Sequence, residues 1–241
     1  MRMSPELKQR LQLVMVVAIL VSGSRLAYIL YERHESQVEQ ASKQPVPLNP
    51  DYYVTPKKLY PYDLKSARQL TQQPVWVKVG YAYTFYPCDP ARHQVDFSHD
   101  AGRLLPIEKL QIKDVISATS PDAPGEPQAM AIFEKDAKTY AFSIGSIKGA
   151  DYKFYSDDML FIQDPHELYQ HWPAEVWEAI DKHQVKSGMS ELQADFAVGL
   201  GIPEKTGQPG NRTVNYPNGG NPLSVTYRDD KAVEIKPGIA N

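Results

Sequence analysis

Cysteine is almost absent from this chain. Among 241 residues the one cysteine is Cys88, so no disulfide can form within a single copy and the fold must depend on an apolar core. The turn that contains it, Tyr86-Pro87-Cys88-Asp89-Pro90, has no signature of a catalytic thiol. We therefore expect Cys88 to be a small, partly buried side chain without a catalytic role.

Positive charge is scarce in the larger C-terminal part. Residues 75–241 carry 16 Lys or Arg against 23 Asp or Glu, whereas residues 1–74 carry ten against six. The whole chain has a formal net charge of −3. Nucleic-acid binding needs a basic surface, and an acidic body does not provide one. We therefore exclude nucleic acid as a partner.

Patterns that bind metals or catalyse reactions are also missing. The histidines form neither an H-x-x-x-H nor an H-E-x-x-H pattern. Asp157 and Asp158 lie in an acidic stretch that lacks the spacing of a calcium loop, and no serine lies in a G-x-S-x-G turn. The sequence therefore predicts no metal, no cofactor and no catalytic residue, and we expect a protein that is not an enzyme. If an activity exists, the loop with Asp157 and Asp158 is the first place to look.

A long apolar stretch occurs once, near the N-terminus. Residues 11–21 follow three basic residues, and after Ser22-Gly23-Ser24-Arg25 the apolar character resumes up to residue 31. As an uncleaved anchor, residues 11–31 have about the 20 residues that a bilayer requires. As a signal peptide, the segment would instead be cleaved after residue 24. We favour the anchor because apolar residues continue past that point, and the positive-inside rule then makes residues 1–10 a cytoplasmic tail.

Residues 32–74 are predicted to be an extended linker. The segment has no regular spacing of apolar residues, and it contains prolines at positions 45, 47, 50, 56, 61 and 74. Pro-rich segments stay extended at about 3 Å per residue. Leu64, Ala67 and Leu70 nevertheless have helical spacing. This spacing predicts a short helix over residues 63–72.

Residues 75–165 are predicted to be a small β domain. Residues 75–86 alternate between apolar and other side chains over twelve positions, which predicts one continuous strand. Further strands are predicted over residues 105–115, 129–134 and 139–144. Their number and spacing are similar to those of SH3-like barrels, so we expect a small closed barrel.

Aromatic residues are abundant, with 15 tyrosines and three tryptophans. The predicted first strand presents Trp76 and Tyr86 on its outward face. Their amphipathic rings suit recognition of a peptide or glycan, so we regard both as candidate partner-binding residues. The alternative is that the two rings pack against the linker or the next domain.

Residues 166–241 read as a complete αα-βββ domain. Trp172-Pro173 opens a helix with Val176, Trp177 and Ile180 on one face. Ser190 and Gln193 form a capping box that starts a second helix at Glu191, and the glycines at 199 and 201 end it. Three alternating segments, residues 212–216, 223–227 and 232–236, then predict a β-meander.

The C-terminal pattern resembles a known family. Val185 through Met189-Ser190-Glu191, the Gly201-x-Pro203 helix exit, and Asp229-Asp230-Lys231-Ala232-Val233-Glu234-Ile235 look like the SmpA/OmlA domain, the fold of the small lipoprotein of the outer-membrane barrel-assembly machine. The resemblance implies an α+β unit that docks on other envelope proteins. The chain departs from the family's mode of attachment, because no cysteine that could take a lipid follows the apolar stretch.

These observations predict an α+β protein: an N-terminal transmembrane helix, a Pro-rich linker, an SH3-like β-barrel and an SmpA/OmlA-like αα-βββ domain. We expect a single-pass protein of the bacterial inner membrane whose C-terminal part lies in the periplasm and binds envelope proteins or assists envelope assembly. Its partners would be the lipid bilayer, through residues 11–31, and envelope proteins, through Trp76, Tyr86 and the acids Glu178 and Asp181. The alternative is an envelope enzyme or enzyme-inhibitor protein that acts on cell-wall components.

Overall fold

The computed structural model describes residues 15, 22–33, 49–121 and 123–238. The chain divides into two compact units, Met1–Tyr52 and Tyr53–Asn241. In the first unit, residues 22–33 are helical. Within the described ranges, no helix is both long enough and apolar enough to cross a membrane. Of the predicted anchor, residues 11–14 and 16–21 lie outside the described residues.

The unit Tyr53–Asn241 is α+β, with antiparallel sheets and few helices, as the sequence predicted. Its strands are β1 Val75–Val77, β2 Thr84–Asp89, β3 Gln94–Val95, β4 Gly102–Arg103, β5 Lys109–Leu110, β6 Ile112–Ala118, β7 Gln128–Lys135, β8 Lys138–Lys148, β9 Asp151–Phe154, β10 Leu160–Phe161, β11 Ile202–Gln208, β12 Asn211–Tyr216, β13 Leu223–Arg228 and β14 Lys231–Pro237. Its helices are α1 Leu64–Ala67, α2 Ser156–Met159, α3 Pro165–Leu168, α4 Ala174–Asp181 and α5 Glu191–Val198.

The largest sheet has seven strands and buries apolar side chains on both faces. Its strand order is β3-β2-β8-β7-β6, with β4 also paired to β2 and β9 to β8. Val115, Phe133 and Phe142 are buried on one face, and a second cluster of buried apolar side chains lies on the other. Phe133 and Phe142 meet edge to face with ring centroids 5.7 Å apart. The predicted hairpin at 135–138 is confirmed, because Lys135 pairs with Lys138 where β7 turns into β8.

The segment before β1 packs on this sheet, although it falls within the predicted linker. The Asp63 carboxylate caps α1 by accepting a hydrogen bond from the Ser66 N–H at 2.6 Å. Helix α1 continues as a 3-10 helix over Arg68–Gln72, which confirms the helix predicted over residues 63–72, and its residues Ala67 and Leu70 are buried in the same core as the sheet. The Leu59 N–H donates to Asp157 Oδ1 at 2.9 Å. The folded part of the chain therefore begins earlier than residue 75.

The continuous strand predicted over residues 75–86 is wrong, because β1 ends at Val77 and β2 begins at Thr84. The chain turns between them at Gly80, where a Cβ would lie 2.2 Å from the Pro106 ring. Tyr81 follows in the left-handed region with φ 63°. As a result β1 leaves the large sheet and lies between β10 and β5 in a separate three-stranded sheet.

The C-terminal part contains the predicted helices and meander. Ser190 Oγ accepts from the Gln193 N–H at 3.2 Å and Gln193 Oε1 accepts from the Ser190 N–H at 2.9 Å, so the predicted capping box is confirmed. The sheet has the order β11-β12-β13-β14, one strand more than predicted. Strand β11 is exposed along its whole length and therefore has no buried-exposed alternation that could have revealed it.

One aromatic cluster joins the three-stranded sheet to the C-terminal part. Phe196 of α5 lies at its centre, with ring centroids 5.7 Å from Phe161, 5.2 Å from Tyr169 and 5.2 Å from Trp172. The cluster continues into the meander through buried Val214 and Val225. We call the following six residues the aromatic junction: Trp76, Phe161, Tyr169, Trp172, Trp177 and Phe196.

Phe196→Ala should lower the free energy of unfolding of the full chain by about 3–5 kcal/mol, because it removes a ring buried against three others. Urea denaturation followed by tryptophan fluorescence measures this change. Val233→Ala is the matched control, since Val233 is half exposed, and it should cost less than about 1 kcal/mol. Equal losses for the two variants would contradict a central role for Phe196.

Candidate functional site

The two aromatic candidates lie in different parts of the fold. Trp76 is 7% exposed and belongs to the aromatic junction, with the Lys109 ammonium 5.3 Å from its ring. Tyr86 is half-buried, and its ring centroid lies 5.1 Å from that of Phe97. The outward face expected to carry both rings does not exist, because the chain turns at Gly80 and separates their strands. Trp76 packs inward, which matches the alternative considered for it.

The two acidic candidates lie on α4, and both are exposed. Glu178 pairs with Lys182 at 3.9 Å, and Asp181 Oδ1 lies 3.5 Å from His166 Nε2. The His166 ring in turn stacks on Trp177, with centroids 4.0 Å apart. Both acids therefore remain accessible to a partner, although each already has an intramolecular contact.

Asp157 and Asp158, expected in a loop, lie on the one-turn helix α2, and Asp157 has a structural role. Asp157 Oδ1 accepts from the Leu59 N–H, and the Asp157 carbonyl accepts from the Lys78 ammonium. Burial lowers the pKa of Lys78. In the described part of the chain, no group of three or more His, Cys, Asp or Glu side chains is placed to hold a metal ion. Helix α2 thus fixes the segment before β1 to the rest of the fold.

A cleft of about 740 Å³ lies where the turn after β1 meets the C-terminal sheet. We call it the loop cleft. It is lined by residues 79–82, 198–200 and 217–220, together with Arg103 and Ile202. Apart from Val198, which ends α5, the residues of these three segments lie in loops or turns.

Glycine conformations give the loop cleft its shape. Gly199 has φ +81°, and a Cβ there would lie 2.7 Å from the Gly80 carbonyl oxygen. Gly219 has φ +59°, and a Cβ there would lie 2.5 Å from the Tyr81 ring. Tyr81 itself has a left-handed backbone, which is uncommon for an aromatic residue. Backbone conformations of this kind persist where the surrounding structure enforces them, and they cluster at binding sites.

The surface of the loop cleft combines apolar side chains with one cation. Leu200 and Ile202 are 60% and 64% exposed, more than any other large aliphatic side chain described in the unit Tyr53–Asn241. Arg103 Nη1 donates to the Tyr81 carbonyl at 3.1 Å. This arrangement suits a ligand that carries both an apolar group and an acceptor of hydrogen bonds.

A buried acid supports the wall of the cleft from behind. Asp195 Oδ1 accepts from the Gly201 N–H at 3.3 Å. Gly201 lies so close to the Tyr216 ring that a Cβ would be 2.6 Å from it. The hydroxyls of Tyr216 and Tyr227 are hydrogen-bonded at 2.8 Å, and both side chains are almost fully buried. The loop that carries Leu200 and Ile202 therefore lies directly on an acid and a tyrosine pair.

Burial raises the pKa of Asp195 to about 7, and the Gly201 N–H, which stabilises the carboxylate, opposes that rise. The neighbouring charge of Glu191 raises the pKa further, whereas the Tyr216 hydroxyl and Arg212 lower it. Arg212 Nε donates to Glu191 Oε2 at 3.1 Å, and Arg212 Nη2 donates to Glu191 Oε1. Burial also raises the pKa of Tyr216, so its hydroxyl stays protonated at neutral pH.

Sequence reasoning did not find Asp195, although a signal was present. Asp195 lies four residues after Glu191 and between Ala194 and Phe196, which are both buried. An acid in that position is expected to be desolvated. Its partners, Arg212 and Tyr216, come from a strand that only the folded chain brings to the helix.

Comparison of the chain with protein-family models, with curated proteins and with solved structures found no match.

Asp195→Asn should stabilise the protein above neutral pH. In the wild type, the folded pKa of about 7 exceeds the model value of 3.8, so the folded state binds more protons than the unfolded state between these values. The free energy of unfolding therefore falls as the pH rises from about 4 to about 7, by an amount on the order of 2–4 kcal/mol.

An asparagine cannot ionise, while its side-chain oxygen can still accept from the Gly201 N–H. Urea denaturation across this pH range should therefore show a flatter dependence for Asp195→Asn than for wild type. Asp181→Asn, on an exposed acid, should follow the wild-type curve. Parallel curves for Asp195→Asn and wild type would contradict the burial of an ionised Asp195.

Proposed function

We propose that this protein is a membrane-anchored, extracytoplasmic module that binds other proteins of the cell envelope, and that the loop cleft is its partner-binding site. The observation that carries the proposal is the pair of highly exposed aliphatic side chains, Leu200 and Ile202, on a wall built from constrained glycines. Exposed apolar groups beside a shaped cleft are typical of sites that bind another molecule.

The edges of the C-terminal sheet favour the cleft over binding by strand addition. Edge strand β11 contains Pro203 and Lys205, and its register shifts between Pro203 and Gly207. Edge strand β14 contains two lysines, ends in Pro237 and also has a register shift. Proline, lysine and bulges are the features that keep an edge from pairing with another chain. A partner that adds a strand would meet these features at both edges.

The arrangement of helices and strands supports the proposed resemblance to two families. Two helices with a capping box, packed on an antiparallel sheet, are what an SmpA/OmlA-like unit requires. Short antiparallel strands around one apolar core are what an SH3-like barrel requires. Both assignments are proposals of fold similarity, and function is inferred here from the cleft.

Anchoring rests on the sequence of residues 11–31, with its basic residues on the N-terminal side. The proposed location is the bacterial inner membrane, with the folded part in the periplasm. Under this proposal the bilayer is one partner and an envelope protein is the other.

The alternative of an envelope enzyme gains little from the site. Asp195 has a pKa near neutrality, which suits a general acid or base. However, Asp195 is not among the residues that line the loop cleft, and Gly201 lies against it. A substrate in the cleft would not reach the carboxyl group, so we assign Asp195 a structural role. The enzyme-inhibitor alternative is a form of protein binding and would use the same surface.

A photo-crosslinking amino acid at Leu200 should capture a defined envelope protein in intact cells, because this side chain is exposed on the wall of the cleft. The matched control places the same amino acid at Lys148, which is exposed and does not line the cleft. Gel electrophoresis and mass spectrometry identify the products. Identical products at both positions, or lipid adducts alone, would argue against a protein-binding cleft.

The anchor makes a separate prediction. Protein isolated from membranes should begin at or near Met1 and should need detergent for extraction, because an apolar segment of about 20 residues holds a protein in the bilayer. N-terminal sequencing of the purified protein measures this. A soluble protein that begins at Arg25 would show that the segment is a cleaved signal peptide.

A further inference from the structure

Arg103 is the one charged side chain among the described residues that line the loop cleft. It forms no ion pair with any carboxylate in the described part of the chain. This is unusual for its surroundings, because acids outnumber bases in residues 75–241. An unpaired arginine in a cleft of an acidic protein is suited to a negatively charged ligand group.

The backbone of Arg103 is held in strand β4, and its guanidinium has one internal hydrogen bond. Thr84 of β2 pairs with Arg103 of β4, and one guanidinium nitrogen donates to the Tyr81 carbonyl at 3.1 Å. A guanidinium has five N–H donors in a planar fork, so most of them remain for a ligand. A carboxylate fits this fork through two parallel hydrogen bonds.

The apolar groups of the cleft require a second feature in the ligand. Leu200 and Ile202 line the same cleft as Arg103 and are largely exposed. Covering them with an aliphatic or aromatic side chain would remove apolar surface from water. The ligand therefore needs an apolar side chain close to its carboxylate.

The backbone at Leu200 favours a ligand with a peptide backbone. The Gly220 N–H already donates to the Pro217 carbonyl at 3.0 Å, whereas among the backbone hydrogen bonds of the described residues none comes from the Leu200 N–H. The carbonyl of an extended peptide can accept from such an N–H. A membrane surface is a poorer fit, since binding to anionic lipids uses clusters of four to eight Lys or Arg, and the cleft has one cation.

We propose that the loop cleft binds an extended peptide segment of a partner protein, in which Arg103 holds a carboxylate and Leu200 and Ile202 contact a neighbouring apolar side chain. The carboxylate belongs to an Asp or Glu side chain or to the partner's C-terminus. This inference rests on the proposed function of the cleft as a partner-binding site, and it adds the chemistry of the partner.

The test uses the full chain in detergent and an immobilised library of short random peptides, half with a free C-terminal carboxylate and half with a C-terminal amide. Wild type should enrich peptides in which a carboxylate lies close to an aliphatic or aromatic residue, because Arg103, Leu200 and Ile202 line the same cleft. Enrichment of the free C-terminus alone identifies a chain end as the ligand. Enrichment of Asp or Glu in the amidated peptides identifies a side chain.

The enriched peptide is then titrated by fluorescence anisotropy against variants. Arg103→Gln should weaken binding about tenfold or more and abolish the preference for a carboxylate, because a charge-assisted bidentate contact is lost. Arg103→Lys keeps the positive charge but lacks the planar fork of donors. Its affinity for the peptide should therefore lie between those of wild type and Arg103→Gln. Arg92→Gln is the matched control, since Arg92 is exposed and pairs with Asp89 at 3.6 Å outside the cleft, and it should bind like wild type.

Several results would overturn the inference. These are enriched peptides without a carboxylate, equal affinities for Arg103→Gln and Arg92→Gln, preferential binding to phosphatidylglycerol vesicles, and self-association that Leu200→Ser abolishes. Arg103→Gln should unfold at the same temperature as wild type. A change in its affinity is then not caused by a loss of folding. If the crosslink at Leu200 persists while carboxylate dependence is absent, this inference fails and the proposed function stands. If the crosslink and the carboxylate dependence are both absent, the inference and the proposed function both fail.

Discussion

The aromatic junction is the packing constraint on which the rest of the structure depends. Its central ring, Phe196, belongs to α5 and lies 5.7 Å from Phe161 of β10. Because β10 pairs with β1, the junction fixes the turn at Gly80 and Tyr81 relative to the end of α5. That end is Gly199, which lies against Gly80. The loop cleft exists only while these two backbone segments are held together, so the candidate binding site is a product of core packing.

A second constraint acts just behind the cleft, where Asp195 is buried beside a tyrosine pair. Burying a carboxylate opposes folding unless hydrogen bonds compensate for the lost water. Here the Gly201 N–H lies within 3.3 Å of Asp195 Oδ1, and this contact holds the loop that presents Leu200 and Ile202. Burial of Asp195 lowers the free energy of unfolding at neutral pH, while its contact with the Gly201 N–H fixes the position of the loop. Such trade-offs are common at functional sites.

Local signals in the sequence predicted local structure well. The capping box at Ser190, the helix after Asp63 and the hairpin near 135–138 each depend on residues close in the chain, and each is confirmed. Trp76 was misplaced because its burial depends on the strand ending at Val77, which follows from contact between Gly80 and the distant Pro106. The environment of Asp195 was missed for the same reason, because Arg212 and Tyr216 come from β12, whereas strand β11 was missed because it is exposed along its whole length. Contacts between residues far apart in the chain produce little pattern that can be recognised in a single sequence.

The central claim is that the aromatic junction, through the three-stranded sheet, makes the seven-stranded sheet and the C-terminal sheet one cooperative unit. Native-state hydrogen exchange of the wild-type chain in increasing urea tests it most directly. The account predicts that amides in the central strands β7 and β13 reach the same free energy of opening and merge at the same urea concentration. If β13 opens at a distinctly lower free energy while β7 stays protected, residues 75–165 and 166–241 fold as separate domains and the junction does not determine the position of the cleft.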